Sequence, residues 1–232
     1  MYHCPMVKPD VSATLYRDAR RRIIAVARKL DAAQLAIRVP ACPRWTVRDL
    51  LGHLAGGTAD VVNNNLAGAP GDEWTDAHVA ARADRGVPEL LAEWAEFGSR
   101  WEEIARRAEH PSFLVRNPYL DTGVHEADLY GALGLPRQPS EIYLAIVASV
   151  VPRVGEDFDG IGVFTIVTPD GEYRLGNGDA DASVRVDSYE LSRAVFGRRS
   201  RAQIECWDWT GAPDEFAERL SVMPRTEHDL VD

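Results

Sequence analysis

The sequence predicts an α+β chain: a helical bundle over residues 1–136, followed by a small mixed α/β domain over residues 137–232. Three observations predict it. Four long stretches before Gly134 repeat apolar residues every three or four positions, the period of a helix with one buried face. After Ser140 the texture changes to short β-branched and aromatic runs set between turn residues. The change falls across Gly134–Ser140, where Gly134, Pro136 and Pro139 interrupt any regular element. Helices first and strands later is the order of an α+β arrangement in two subdomains.

The first helix is expected from Ser12 to Leu30, with Leu15, Ala19, Ile23, Val26, Ala27 and Leu30 on one face. The second begins after Pro43-Arg44-Trp45. Thr46 is a good N-cap, Asp49 completes a capping box, and Trp45 and Leu50 occupy the two positions of a hydrophobic staple. This helix is expected to reach Leu66. Residues 67–87, rich in Gly, Pro and Asp at both ends, read as a long loop holding one short helix. Leu90, Trp94, Phe97, Trp101, Ile104 and Ala108 mark the third main helix. The fourth runs from Pro118 to Leu133 and is closed by Gly134 and Pro136. Beyond it, 141–151 reads as a helix, and 162–167 with 172–175 as a hairpin around Pro169-Asp170-Gly171. Residues 182–186 read as a strand, 189–196 as a helix ended by Gly197, 202–206 as a strand and 214–220 as a final helix.

Composition excludes several function classes. The chain has 232 residues, 45% hydrophobic and 27% charged, which is ordinary globular make-up. A net charge of −10 argues against a nucleic-acid partner and against an anionic membrane surface. No apolar run approaches the roughly 18 residues of a membrane span, and the N-terminus lacks the pattern of a signal peptide. Cys4, Cys42 and Cys206 are odd in number and far apart, as in a reducing compartment. A cytoplasmic monomer or homodimer is the expectation.

The chemistry concentrates on the second and fourth helices. On the fourth, Asp121, His125 and Asp128 fall within one narrow arc. An unpaired buried carboxylate costs several kcal/mol. A divalent cation between Asp121 and His125 removes that cost, because residues four apart on a helix point the same way. A hydrogen-bonded Asp–His pair without metal is the competing reading. On the second helix His53 lies at the edge of the apolar stripe, in line with Gly57, Asp60 and Asn64. It is either a half-exposed surface histidine or a third ligand on a polar strip, with Gly56 and Gly57 leaving room beside it.

Other motifs read as structural. Asp157-Phe158-Asp159-Gly160 lacks the downstream ligands of a calcium loop and reads as a turn. Gly176-Asn177-Gly178 opens no helix and is no phosphate loop. His3 and Cys4 fall in a frayed terminus, Cys42 reads as a packed thiol, and Trp207 and Trp209 as packing or rim residues.

The stretch 43–55, Pro-Arg-Trp-Thr-Val-Arg-Asp-Leu-Leu-Gly-His-Leu-Ala, resembles the P-x-W-T-V-x-D-L-x-x-H-L segment of mycothiol-dependent maleylpyruvate isomerase-like proteins, within the DinB-like metal-binding four-helix-bundle superfamily. Asp121 through Gly134 resembles that family's second ligand helix, and Tyr189 through Ser200 with Trp207-Asp208-Trp209 its C-terminal domain. The resemblance implies a divalent metal, usually Zn2+, held by His53, Asp121 and His125, with Asp121 standing where the family's isomerase has Glu. It also implies mycothiol as a thiol cosubstrate. The metal-held thiolate would add to a small electrophilic substrate, for transfer or for reversible cis–trans isomerisation. Asp128 is then an orienter of His125 or a pocket acid, and Asn64, Arg116 and Tyr119 are candidates to line the thiol and substrate pocket, with Asn63 beside them. Two alternatives stay open on the same scaffold. One is a metal-dependent hydrolase with Asp128 or Asp60 as base; the other is a non-catalytic small-molecule-binding module.

Overall fold

The structure is a computed structural model that describes residues 8–108, 113–211 and 214–232; the side chains of residues 113–117 and 180 lie outside that description. Residues 8–138 and 139–231 form two compact units.

In the helical unit, α1 (Pro9–Ala27) starts earlier than its apolar pattern, because Pro9 pre-sets the first turn and Asp10 suits its positive end. A short α2 (Ala32–Leu35), with an Asp31–Gln34 capping box, leads into an antiparallel pair, β1 (Arg38–Val39) and β2 (Cys42–Thr46). The sequence pattern gave no sign of these three small elements. Helix α3 (Val47–Val62) opens as expected: the Asp49 amide donates to Thr46 Oγ1 at 3.2 Å, and the Thr46 amide donates to Asp49 Oδ2 at 2.9 Å. It ends four residues before Leu66, since Asn64 turns left-handed at φ 57°.

Within the expected loop, α4 (Asp72–Ala80) forms a helix, followed by α5 (Val87–Arg107) and α6 (Phe113–Leu133). Helix α6 carries Pro118 inside it rather than at its start. Four long helices pack in a ring: α1 against α5 and α6, and α3 against α5 and α6. Its interior holds Ile23, Leu50, Leu51, Leu54, Leu90, Trp94 and Leu129, all nearly inaccessible. Trp94 Nε1–H donates to Tyr16 Oη at 3.0 Å, and that hydroxyl pairs with Thr58 Oγ1 at 3.1 Å, so the polar tips of two buried aromatics are satisfied. A third side of α3 is covered by α4.

In the second unit, α7 (Ser140–Glu156) runs past Pro152 to Glu156, longer than expected. Strands β3 (Gly162–Thr168) and β4 (Gly171–Leu175) form the expected hairpin, with Thr168 opposite Gly171. Strand β5 (Ala180–Arg185) lies parallel to β3 on its other side, and β6 (Asp208–Gly211) closes the sheet in the order β4-β3-β5-β6. Alternation along β3 buries Phe164, Ile166 and Thr168. Phe164 stacks on Trp209 at 5.6 Å, so this tryptophan is a packing residue.

Helix α8 (Ser188–Ala194) ends before Gly197 at φ 75°, as expected. Residues 201–205 are a helix, α9 (Arg201–Glu205), and not a strand. Ser200 caps it and Gln203 completes the capping box, a local preference that outweighs a segment with only Ile204 buried. A last helix, α10 (Asp214–Arg219), follows. Asp157–Gly160 is a turn: Asn177 Nδ2 donates to Asp159 Oδ1 at 2.7 Å and the Gly160 amide to Asn177 Oδ1 at 2.9 Å. Asn177 lies between Gly176 and Gly178, whose φ values are 67° and 126°. Among the described residues no helix is long and apolar enough to cross a membrane.

Candidate metal centre

Helices α3 and α6 bring His53, Asp121 and His125 together, although 68 residues separate His53 from Asp121. His53 is 2% exposed and His125 5%. The helical wheel put His53 at a half-exposed edge; α4, which no wheel of α3 can anticipate, covers that edge.

Asp121 Oδ1 lies 3.4 Å from His53 Nε2 and 3.5 Å from His125 Nε2, and Asp121 Oδ2 lies 3.2 Å from His53 Nε2. The 3.4 and 3.5 Å contacts are long for hydrogen bonds, while the 3.2 Å one is within their range. Donor atoms around one tetrahedral ion at zinc-like bond lengths stand about 3.3 Å apart. Two imidazole nitrogens and a carboxylate oxygen are also the donor set such an ion takes. The residues present therefore fit a divalent cation. Asp121 keeps 24% of its side chain exposed, so the centre opens to solvent on the carboxylate side.

The outer nitrogens of both imidazoles are engaged. His125 Nδ1 lies 2.8 Å from Asp128 Oδ2, and Cys42 Sγ approaches the same oxygen at 3.6 Å. His53 Nδ1 lies 3.2 Å from Nδ1 of His78, and His78 Nε2 lies 3.1 Å from Asp60 Oδ2. Trp45, on β2, packs its ring 4.6 Å from that of His53 and 5.9 Å from that of His125. Trp74 sets its edge on His78 at 4.2 Å and ties its own indole N–H to the Asn65 carbonyl.

Helix α4 reaches this close because α3 has no side chain at position 56. A Cβ on Gly56 would stand 2.6 Å from the Cβ of His78 and 2.7 Å from Arg82 Nη1. Arg82 then locks the helix down, donating from Nη1 to the His78 carbonyl at 3.1 Å. Its Nε and Nη2 reach the Glu93 carboxylate of α5 at 2.8 and 2.7 Å.

Burial by itself would push the Asp121 carboxyl up, but the His53 and His125 imidazoles outweigh it and hold the group well below the usual range. Burial would lower His125; Asp121, Asp128 and Cys42 overcome it and raise the imidazole well above its ordinary value. His78 moves the other way. Burial, then the neighbouring His53, bring it down to about 4 against the pull of Asp60, so it is neutral at physiological pH.

Of the other residues named from sequence, Asp128 is buried at the back of His125. Tyr119 is 1% exposed, within the packed face of α6. Asn64 is exposed in the turn that ends α3, where its side chain makes none of the cluster's contacts. Asn63 is the exposed C-cap residue of α3. The side chain of Arg116 lies outside the described residues. Sequence reasoning missed His78. The usable signal was Trp74 and His78 at helical spacing after Gly71-Asp72-Glu73, with Asp60 and His53 seven residues apart on one face of α3.

Residues 16–130 match the family model described as the mycothiol maleylpyruvate isomerase N-terminal domain. No curated protein sequence matches the chain. A crystal structure of a mycothiol-dependent maleylpyruvate isomerase is similar at a TM-score of 0.57 and 14% identity, covering 85% of this chain and 92% of that one. A histidine-to-alanine mutant of that isomerase matches at 0.56 and 13%, with the same coverage. At such identities the likeness is one of fold, a helical N-terminal part followed by an α/β part.

Proposed function

We propose, from the match of residues 16–130 to the mycothiol maleylpyruvate isomerase N-terminal domain and from the centre's geometry, that the chain is a metal-dependent, thiol-using isomerase acting on a small electrophilic substrate. His53, Asp121 and His125 would hold the cation, zinc by the chemistry of the donor set. When bound, the metal supplies a site at which a low-molecular-weight thiol such as mycothiol stays deprotonated and nucleophilic at neutral pH. The chain's own side chains do the rest. Asp128 accepts from Nδ1–H of His125 and so leaves Nε2 as the nitrogen offered to the cation. Trp45 covers both imidazoles and keeps water from their faces. The partly exposed edge at Asp121 leaves room for thiol and substrate to approach.

One observation carries this reading: two buried imidazoles whose outer nitrogens are engaged and whose inner nitrogens converge on one carboxylate. The metal-dependent hydrolase reading loses support from the same geometry. Asp60 and Asp128, its candidate bases, are both occupied with histidine nitrogens.

The test is metal analysis of the purified protein and of His53→Ala, followed by an assay of maleylpyruvate isomerisation with and without mycothiol. About one zinc per chain, lost in the variant, with turnover only when thiol is present, is the expected result. Turnover independent of thiol, or no turnover in metal-loaded protein supplied with thiol, would overturn the proposal.

A further inference from the structure

We propose that Asp60 and His78 form a hydrogen-bond relay that, together with the cation, fixes the tautomer of His53 with a bare Nε2 at the cation site. They are positioning residues that act through His53, and the inference rests on reading His53 as a ligand.

The proton positions follow from the contacts once a cation takes the lone pair of His53 Nε2. The one hydrogen of that neutral imidazole then sits on Nδ1, 3.2 Å from His78 Nδ1. Two N–H groups cannot share such a contact, so His78 Nδ1 accepts, and the hydrogen of His78 sits on Nε2. A carboxylate only accepts, and Asp60 Oδ2 receives that hydrogen at 3.1 Å. Without the cation Asp121 Oδ2, at 3.2 Å, takes a hydrogen from His53 Nε2 by the same rule, so the ion and the relay set this tautomer together.

Asp128 does the same for His125 in one step, at 2.8 Å. With the cation bound, the two ligand imidazoles thus keep a hydrogen on Nδ1 by different routes. The second route is built from a separate helix, α4, seated by Gly56 and by the Arg82–Glu93 clamp. Ligand histidines commonly give their outer N–H to a carboxylate or carbonyl. Here a second histidine is interposed, and Asp60, with 23% of its side chain exposed, ends the relay at the protein surface.

A purely structural role for His78, as a ring packed on Trp74, predicts none of this, so the two are separable by experiment. The first measurement is the imidazole 15N–1H correlation spectrum of zinc-loaded wild type at neutral pH. It should show His53 carrying its hydrogen on Nδ1 and His78 on Nε2. The second is zinc affinity, by competition with a chromophoric chelator, for Asp60→Asn, His78→Phe and His78→Gln. An amide at position 60 can donate to His78 Nε2 and invert the relay, moving the His53 hydrogen onto Nε2. Phe keeps the ring and removes both hydrogen bonds, while Gln keeps an acceptor for His53.

Asp60→Asn and His78→Phe should each bind zinc roughly 10–100-fold more weakly with unchanged helical circular dichroism, and His78→Gln should recover part of that loss. Wild-type zinc affinity in Asp60→Asn and His78→Phe, or a His78 hydrogen found on Nδ1 in zinc-loaded wild type, would overturn the relay. If His53→Ala binds zinc as wild type does, the ligand assignment fails and the relay with it. Should a variant fail to fold, that wild-type spectrum alone supports or overturns the proposal.

Discussion

Replacing Glu93 by Gln tests whether the clamp between α4 and α5 stabilises the helical unit. The Glu93 carboxylate accepts three charge-assisted bonds, two from Arg82 at 2.8 and 2.7 Å and one from Arg85 at 2.8 Å. The Arg82 side chain is 9% exposed and that of Glu93 15%, so water replaces little of what is lost. A glutamine oxygen keeps one acceptor but no charge, leaving a largely buried guanidinium without its counter-ion. Breaking a buried pair costs about 3–5 kcal/mol, and residual exposure with one surviving bond brings the expectation to about 2–3 kcal/mol. For a chain of this length that is a fall of roughly 5–10 °C in melting temperature near neutral pH.

The pH dependence has a definite sign. Burial would raise the Glu93 carboxyl, but Arg82 and Arg85 outweigh it and hold the group below its ordinary value of 4.5. The clamp's contribution is therefore complete above pH 4.5 and is lost as pH falls below it, through the folded-state value. Thermal melts of both proteins from neutral to acid pH are the assay, with hydrogen exchange of the α4 amides as a second readout. In Glu93→Gln those amides should exchange faster while the α1 amides change little. Equal melting temperatures at pH 7, or a gap between the two proteins that widens in acid, would refute the reasoning.

Two further outcomes follow from the same geometry. Zinc binding should release about one proton per ion near neutral pH and weaken as pH falls, because the raised His125 must give up the hydrogen on its site-facing nitrogen; calorimetry in buffers of different ionisation enthalpy measures it. Trp94→Ala should cost about 3–5 kcal/mol in chemical denaturation, and Trp94→Phe less, since the ring is fully buried and its N–H is a donor to Tyr16.

How much was legible depended on whether the cause was local. The Thr46–Asp49 box, the stop at Gly134 and the β3–β4 turn are short-range patterns, and each is found where the sequence put it; of the expected α5 stripe, Leu90, Trp94 and Trp101 are buried while Ile104 is exposed. The helical half followed by a mixed half was readable for the same reason. Residues 202–206 went wrong because β-like composition competes there with a capping box at Ser200 that composition does not register. Asn64 was assigned to a pocket because α3 was carried past Val62, and the left-handed turn turns that side chain outward. His53 illustrates the limit of a single helical wheel. Its stripe records the neighbours of α3 that bury apolar residues, and it is blind to α4, which buries polar ones. The Gly/Pro-rich flanks of α4 hid His78 for that reason, while Gly56, read only as room for a ligand, is room for a helix.

The donors of the candidate centre sit on helices far apart along the chain, and that separation has a thermodynamic corollary. An ion grasped by residue 53 and by residues 121 and 125 acts as a removable staple across a loop of 68 residues, one that the unfolded chain has no means to close. Each tenfold rise in free cation above the dissociation constant then adds about 1.4 kcal/mol to the folded state. On the proposed ligand set, the melting point of this protein is expected to follow the free metal around it.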